Sequence, residues 1–291
     1  MSDIRNFLWR LIPVSSWRRA ARRRLGEDLI VREYVTTLRA KLAGISRRAG
    51  KIEILCLGSS HADYGFRPDA FPGNAFNFGA ASQDLRTSAE LAKRLVPTLP
   101  HLRKIVMFFS VFSPGSCLAK TKESFRCVVY EELLHVPVPE SCRLDEKECA
   151  RVRKLCRRER GEDSRTDAFG FNASMPGFEI PAEERVRTHL RENLREPDQM
   201  SHLEKMISET GVGHEILVVV PPARADYRAA LPPKSELFRK LFALRERRGG
   251  FRIADFFDDA DFSAEDFADT DHLNPDGAMK LSRKIAAILE R

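Results

Sequence analysis

Ile52-Glu53-Ile54-Leu55-Cys56-Leu57-Gly58-Ser59-Ser60-His61 is an apolar run that stops on a glycine and two hydroxyls. It is too short for a helix and too continuously apolar for a half-exposed strand, so it reads as a strand buried on both faces, closed by Gly58. Ala75-Phe-Asn-Phe78 closed by Gly79, Lys104 to Phe109, His214 to Val220 stopped by Pro221-Pro222, and the short Phe251 to Ala254 repeat that reading. Helical spacing lies between them. Leu29, Ile30, Tyr34, Leu38 and Leu42 predict a helix ended by Gly44, and further patterns run from Asp84 to Leu95, Arg185 to Thr210 and Ser235 to Arg248. Five strands alternating with helices predict an α/β fold: a three-layer α/β/α sandwich around a mostly parallel five-stranded sheet. Ligands of such sheets bind beyond the carboxyl ends of the strands, where Ser60, Gly79 and the segment after Phe109 would meet.

The chain has 291 residues, of which 43% are hydrophobic, as in an ordinary folded core. No apolar run approaches the ~18 residues of a membrane span, and the first residues lack the pattern of a signal peptide, so the expected compartment is the cytoplasm. Six cysteines without CxxC spacing indicate reduced thiols rather than a disulfide or zinc framework. Cys142, Cys149 and Cys156 recur every seven residues, which predicts one buried helix face.

The net charge of +7 is concentrated at one end. Residues 1–50 carry 12 Lys/Arg against 4 Asp/Glu, and the remainder carries 37 against 38. The chain therefore divides into a basic N-terminal helical segment, 1–48, and an α/β domain, 49–291. Trp9, Trp17, Arg18, Arg19, Arg22, Arg23 and Arg24 form a mixture suited to an anionic membrane surface at the inner face of the plasma membrane. The competing reading is a frayed helix whose aromatics dock on the domain. Nucleic acid is not an expected partner, because no binding motif accompanies the charge. About residues 113–180 the strand–helix rhythm breaks. This charged insertion is either a substrate-facing cap or a solvated helical excursion.

Asp269-Thr270-Asp271-His272-Leu273-Asn274-Pro275-Asp276-Gly277 precedes the last helical pattern. A serine hydroxyl attacks a carbonyl at neutral pH only when an adjacent base takes its proton, and an imidazole serves best when a carboxylate fixes its tautomer. Ser60, His272 and Asp269 supply those three groups. Asn274 as N-cap and Pro275 at the first helical position would anchor the loop bearing His272. Asp271, beside the histidine, is expected to point elsewhere.

These blocks resemble the SGNH (GDSL-like) hydrolase superfamily. Leu57-Gly-Ser-Ser60 is similar to its first block with Ser60 as nucleophile, Asn77-Phe-Gly79 to its second with Gly79 in the oxyanion hole, and Asp269-Thr-Asp-His272 to its last. The longer strings around Ser60 and Gly79 resemble a bacterial branch associated with surface-polysaccharide or teichoic-acid modification. The resemblance implies a flavodoxin-like SGNH fold and a serine esterase or O-acyltransferase acting on an acylated, notably acetylated, carbohydrate or envelope precursor. It implies no cofactor and no metal. Two positions depart from the pattern: Ser59 replaces an aspartate, and the third block's Gly-x-Asn-Asp is missing. The oxyanion would then rely on the amides of Ser60 and Gly79, with Ser110, Ser113 or Asn172 as substitute donors. Because losing one such donor costs roughly 100- to 1000-fold in rate, the alternative is an inactive binding or scaffold protein of the same fold at the inner membrane.

Overall fold

A computed structural model describes residues 16–159, 165–174 and 180–290, with side chains from Arg24 onward. Five strands, β1 (Ile54–Leu57), β2 (Ala75–Asn77), β3 (Lys104–Phe108), β4 (Glu215–Val220) and β5 (Arg252–Asp255), form one sheet in the order β2-β1-β3-β4-β5. Every pairing is parallel. The expected α/β/α sandwich is therefore the observed architecture.

The alternation along each strand separates two cores. Leu55, Leu57, Ile105, Met107, Ile216 and Val218 point to one face, which is covered by α1 (Ser16–Arg48), α3 (Leu85–Leu95), α4 (Phe125–Leu134), α5 (Glu146–Arg158), α7 (Gln199–Thr210) and α10 (Arg239–Arg248). Ile54, Cys56, Val106, Phe108, Leu217 and Val219 point to the other, covered by α2 (Ser60–Gly65) and α11 (Pro275–Leu289). Strands buried on both faces need the continuous apolar runs seen in the sequence. The pattern read from Arg185 to Thr210 is two helices, α6 (Ala182–Glu192) and α7, with Pro197 between them. The pattern from Ser235 to Arg248 likewise divides into α9 (Lys234–Leu237) and α10, preceded by the short α8 (Ala225–Ala229).

The insertion is a built part of the fold. Cys117, Leu118, Val128, Val129, Tyr130, Val152 and Leu155 belong to the larger core, which is incompatible with a solvated excursion. Arg151 pairs with Asp28 and Arg153 with Glu131 (2.6 Å), fastening α5 to its neighbours. The predicted cysteine stripe is shorter than its spacing suggested. Cys149 and Cys156 are buried on α5, whereas Cys142 precedes its N-cap Asp145.

The N-terminal helix also corrects an expected boundary. It runs through Gly44, whose missing side chain lets Phe76 approach: an added Cβ would stand 3.1 Å from that ring. Its buried face is Val31, Tyr34, Val35, Leu38 and Ile45, while Leu29 and Ile30 are exposed. The compositional break at residue 48 is thus not a break in packing. Trp9 lies outside the described residues, as do the side chains of Trp17, Arg18, Arg19, Arg22 and Arg23; Arg24 is exposed. Among the described residues no helix is long and apolar enough to cross a membrane.

Lys41 gives α1 a further role. Its ammonium, fully buried, lies 2.8 Å from Asp63 Oδ1 on α2 and donates to the carbonyls of Gly170 (2.5 Å) and Asn77 (3.2 Å). Removing one member of a buried pair strands the other charge, which typically costs ~3–5 kcal/mol, whereas removing both charges costs far less. Lys41→Met is expected to lower stability in urea unfolding by about that amount, and adding Asp63→Asn to recover most of it. A loss within the error of wild type would contradict this account.

Candidate active site

Gly58 makes the turn from β1 into the helix that carries Ser60. Its φ of +139° lies in glycine territory, and a Cβ would stand 2.8 Å from that of Phe108. Ser59 then caps α2, and Ser60 is its first residue, half-buried at the carboxyl edge of the sheet. In this six-residue helix the Ala62 carbonyl takes the Phe66 amide (3.0 Å), and the carbonyls beyond it have no helical partner. Asn77 supplies the donors from β2: its side-chain amide donates to the carbonyls of Ala62 (2.7 Å), Phe66 (2.8 Å) and, more weakly, Asp63 (3.3 Å).

The second half of the site arrives on the loop before α11. Asn274 accepts from the amides of Asp276 (3.0 Å) and Gly277 (2.9 Å), and Gly277 is required because a Cβ there would stand 2.1 Å from the Asp266 carbonyl. Asp269 Oδ1 accepts from the amides of Asp271 (2.9 Å) and His272 (2.8 Å), which bends the loop back on itself. The His272 ring thereby reaches both partners: Nδ1 lies 3.0 Å from Asp269 Oδ2, and Nε2 lies 2.7 Å from Ser60 Oγ. With the Nδ1 proton directed to the carboxylate, Nε2 is left as acceptor for the serine hydroxyl. Residues 212 positions apart in the chain therefore meet in the arrangement expected from the motifs.

A second buried cluster, unread in the sequence, lies behind this chain. Against expectation, Asp271 stays beside His272, with Oδ1 3.7 Å from Nδ1, while it pairs with Arg185, whose Nε donates to Oδ1 at 2.8 Å and Nη2 to Oδ2 at 3.3 Å. His61 Nε2 is 3.4 Å and His189 Nε2 3.8 Å from the same carboxylate. The other His61 nitrogen faces the Ser110 hydroxyl (2.9 Å), and its ring stacks on His272 with centroids 4.8 Å apart. His189 is bonded through Nδ1 to the Tyr227 hydroxyl (2.5 Å). Spacing signals only part of this cluster: Arg185 and His189 lie four residues apart on one face of α6, whereas His61 and Tyr227 come from α2 and α8.

Electrostatics distinguishes the three imidazoles. Burial alone would lower His272, but the Asp271 carboxylate and the Asp269 hydrogen bond outweigh it and hold the pKa above its ordinary 6.5. Burial dominates at His61, lowered from 6.5, and at His189, lowered to about 3. Asp271, which burial would raise, is held well below the usual carboxylate range by His272, His61 and His189. The ring that contacts the serine is therefore the basic one.

The expected oxyanion donors fare differently. Gly79 packs against Ala62 with no room for a side chain, but its amide donates to Asn77 Oδ1 (2.9 Å). The Ser110 amide donates to Ser113 Oγ (2.8 Å), and Asn172 Nδ2 reaches Asp63 Oδ2 (3.3 Å) rather than the serine. The Gly79 and Ser110 amides and the Asn172 side chain are thus committed inside the protein, whereas Ser113 Oγ is engaged only as an acceptor. The Ser60 amide, at the first helical position, has no intrahelical carbonyl to reach.

A cavity of about 230 Å³ opens beside Ser60, and the insertion does line it, through Ser116, Leu118, Thr121, Lys122 and Glu123. Ser82, Phe112, Arg185, Thr188, His189 and Glu192 complete its wall. His61, Asp271 and His272 also offer ligand atoms within 4.8 Å of one another, as a metal site would. A cation among them would face the Arg185 guanidinium already bonded to Asp271, so this donor set does not fit a metal.

No protein-family model matches the chain. No curated protein matches it. Among solved structures the chain is similar to one described as "a putative platelet activating factor from Streptococcus pneumonia", at 12% identity and a TM-score of 0.47, over 93% of this chain and 99% of that one. What the site can do follows from its own geometry.

A protonated His272 cannot accept from Ser60, so modification of Ser60 is expected to fall on the acid side, with a midpoint above the ordinary histidine value of 6.5. Asp271→Asn removes the leading cause of that elevation and should move the midpoint to lower pH. The check is the pH dependence of Ser60 labelling by a fluorophosphonate, and an unmoved midpoint in the variant would refute the assignment.

Proposed function

We propose that the protein is a serine esterase or acyltransferase of SGNH type. The observation that carries this reading is the unbroken hydrogen-bond chain from Ser60 through His272 to Asp269. In the reaction, Ser60 Oγ attacks the acyl carbonyl while His272 Nε2 takes its proton. The tetrahedral intermediate collapses as His272 returns that proton to the leaving alcohol, and Ser60 keeps the acyl group. Water or an acceptor hydroxyl then repeats the sequence in reverse, giving the acid or a new ester. Asp269 holds the imidazole and offsets its charge, and the Ser60 amide stabilises the oxyanion. An acylated carbohydrate suits the cavity, whose lining combines Ser82, Ser116, Thr121 and Thr188 with Phe112.

Labelling of the full chain by a fluorophosphonate probe tests the nucleophile. Wild type is expected to label, Ser60→Ala to lose labelling, and His272→Ala to slow it by ~10⁴-fold or more. Labelling that survives in Ser60→Ala would sink the serine mechanism. Absence of labelling in wild type would favour the second reading, a binding protein of the same fold, which draws support from the engagement of the Gly79, Ser110 and Asn172 donors.

Peripheral attachment to an anionic membrane belongs to the same proposal, supported by the basic first 50 residues and by exposed Leu25, Leu29 and Ile30 beside Arg24. The protein should sediment with phosphatidylglycerol vesicles at low salt and be released by high salt. Equal recovery with neutral vesicles would reject that attachment.

A further inference from the structure

We propose that Arg185 is an anion-binding subsite of the Ser60 cavity, so that the acyl compound accepted there carries a carboxylate or phosphate group close to its ester. The inference rests on the esterase or acyltransferase reading of Ser60 and narrows its substrate class.

A guanidinium has five N–H donors in a planar fork, and Arg185 spends one side of that fork on Asp271 through Nε and Nη2. Asp271 is buried behind the cavity, while the arginine side chain retains 20% exposure and forms part of the cavity wall. The carboxylate therefore locks the plane of the guanidinium from behind, and the outer end of the fork remains for a ligand. That is the geometry in which an arginine binds a second oxyanion in bidentate fashion without first losing side-chain freedom. Were neutralising Asp271 its whole purpose, the arginine would have no reason to reach the space in front of Ser60.

The other charges of the wall agree with an anionic ligand. Glu192 is held bidentately by Arg195, at 2.5 and 2.8 Å, and Glu123 accepts from Ser82 and lies 3.5 Å from Arg126. Both acids are thus compensated by arginines outside the cavity. Lys122, which also lines it, has no carboxylate partner among the described residues. The charge left facing the cavity is positive. His189, the remaining titratable group of the wall, is kept neutral by burial and adds none.

Two measurements on the full chain test the proposal independently of each other. The first compares hydrolysis of 3-acetoxybenzoate with that of 3-acetoxybenzamide, which differ by one charge. The anion should be favoured about tenfold or more in kcat/KM, the scale of a hydrogen bond to a charged group. The ratio should fall to near one in both Arg185→Lys and Arg185→Met, and partly in Lys122→Ala. Because it is a ratio, a general loss of rate caused by disturbing Asp271 does not move it. The second measurement needs no catalysis: benzoate or phenyl phosphate, but not benzamide, should raise the thermal midpoint of wild type and not of Arg185→Lys. Stabilisation by benzoate or phenyl phosphate without ester hydrolysis keeps the subsite and overturns the catalytic reading; the more stabilising of the two anions tells carboxylate from phosphate. Hydrolysis with no preference for the anion, or equal stabilisation by benzamide, overturns the subsite.

Discussion

The side-chain amide of Asn77 is the joint on which the site depends. The Asn77 amide braces the C-terminal turn of the short α2, donating to the Ala62 carbonyl, which also takes the Phe66 amide, and to the carbonyl of the C-cap Phe66, while its oxygen takes the Gly79 amide. One residue at the end of β2 thereby sets the height of Ser60 above β1. Lys41 and Asn172 hold the same helix from two other directions by meeting the two oxygens of Asp63. Ser60 is positioned by polar contacts that begin in three distant parts of the chain.

The same economy appears around His272. His272 touches Asp269 along one edge and stacks on His61 across one face, and His61 is itself tied to Ser110 and Asp271. Asp271 is the charge that organises this cluster. Buried carboxylates are costly unless paired and hydrogen-bonded, and Arg185 supplies the pairing while three imidazoles surround the remaining surface. Burial keeps two of those rings neutral and leaves His272 as the one that takes a proton.

The network also engages the groups expected to serve as outward-facing donors beside Ser60. Ser110 stands after β3, and its hydroxyl turns to His61 and its amide to Ser113. The Ser110 hydroxyl thereby becomes a partner for His61, the histidine that stacks on His272. Asn172, from the insertion, serves Asp63 in the same inward-looking way.

Much of this is legible in the order of the amino acids. Apolar runs ending on Gly58 and Gly79, the Pro221-Pro222 stop and the Asn274-Pro275 helix start each act within a few residues, through backbone geometry and solvent exclusion. The strands, their parallel arrangement and the three residues of the hydrogen-bond chain can therefore be read directly. The passage of α1 through Gly44 shows the limit of such signals, since tertiary contact decides where a helix continues. Contacts between elements leave no local trace. That Lys41 would reach Asp63, that Asp271 would gather Arg185 and three imidazoles, and that the Gly79 amide would be taken by Asn77 were decided only by packing. Residue types and their spacing specify what a segment can form; which buried charges and amides must satisfy one another depends on who is adjacent once water has been expelled.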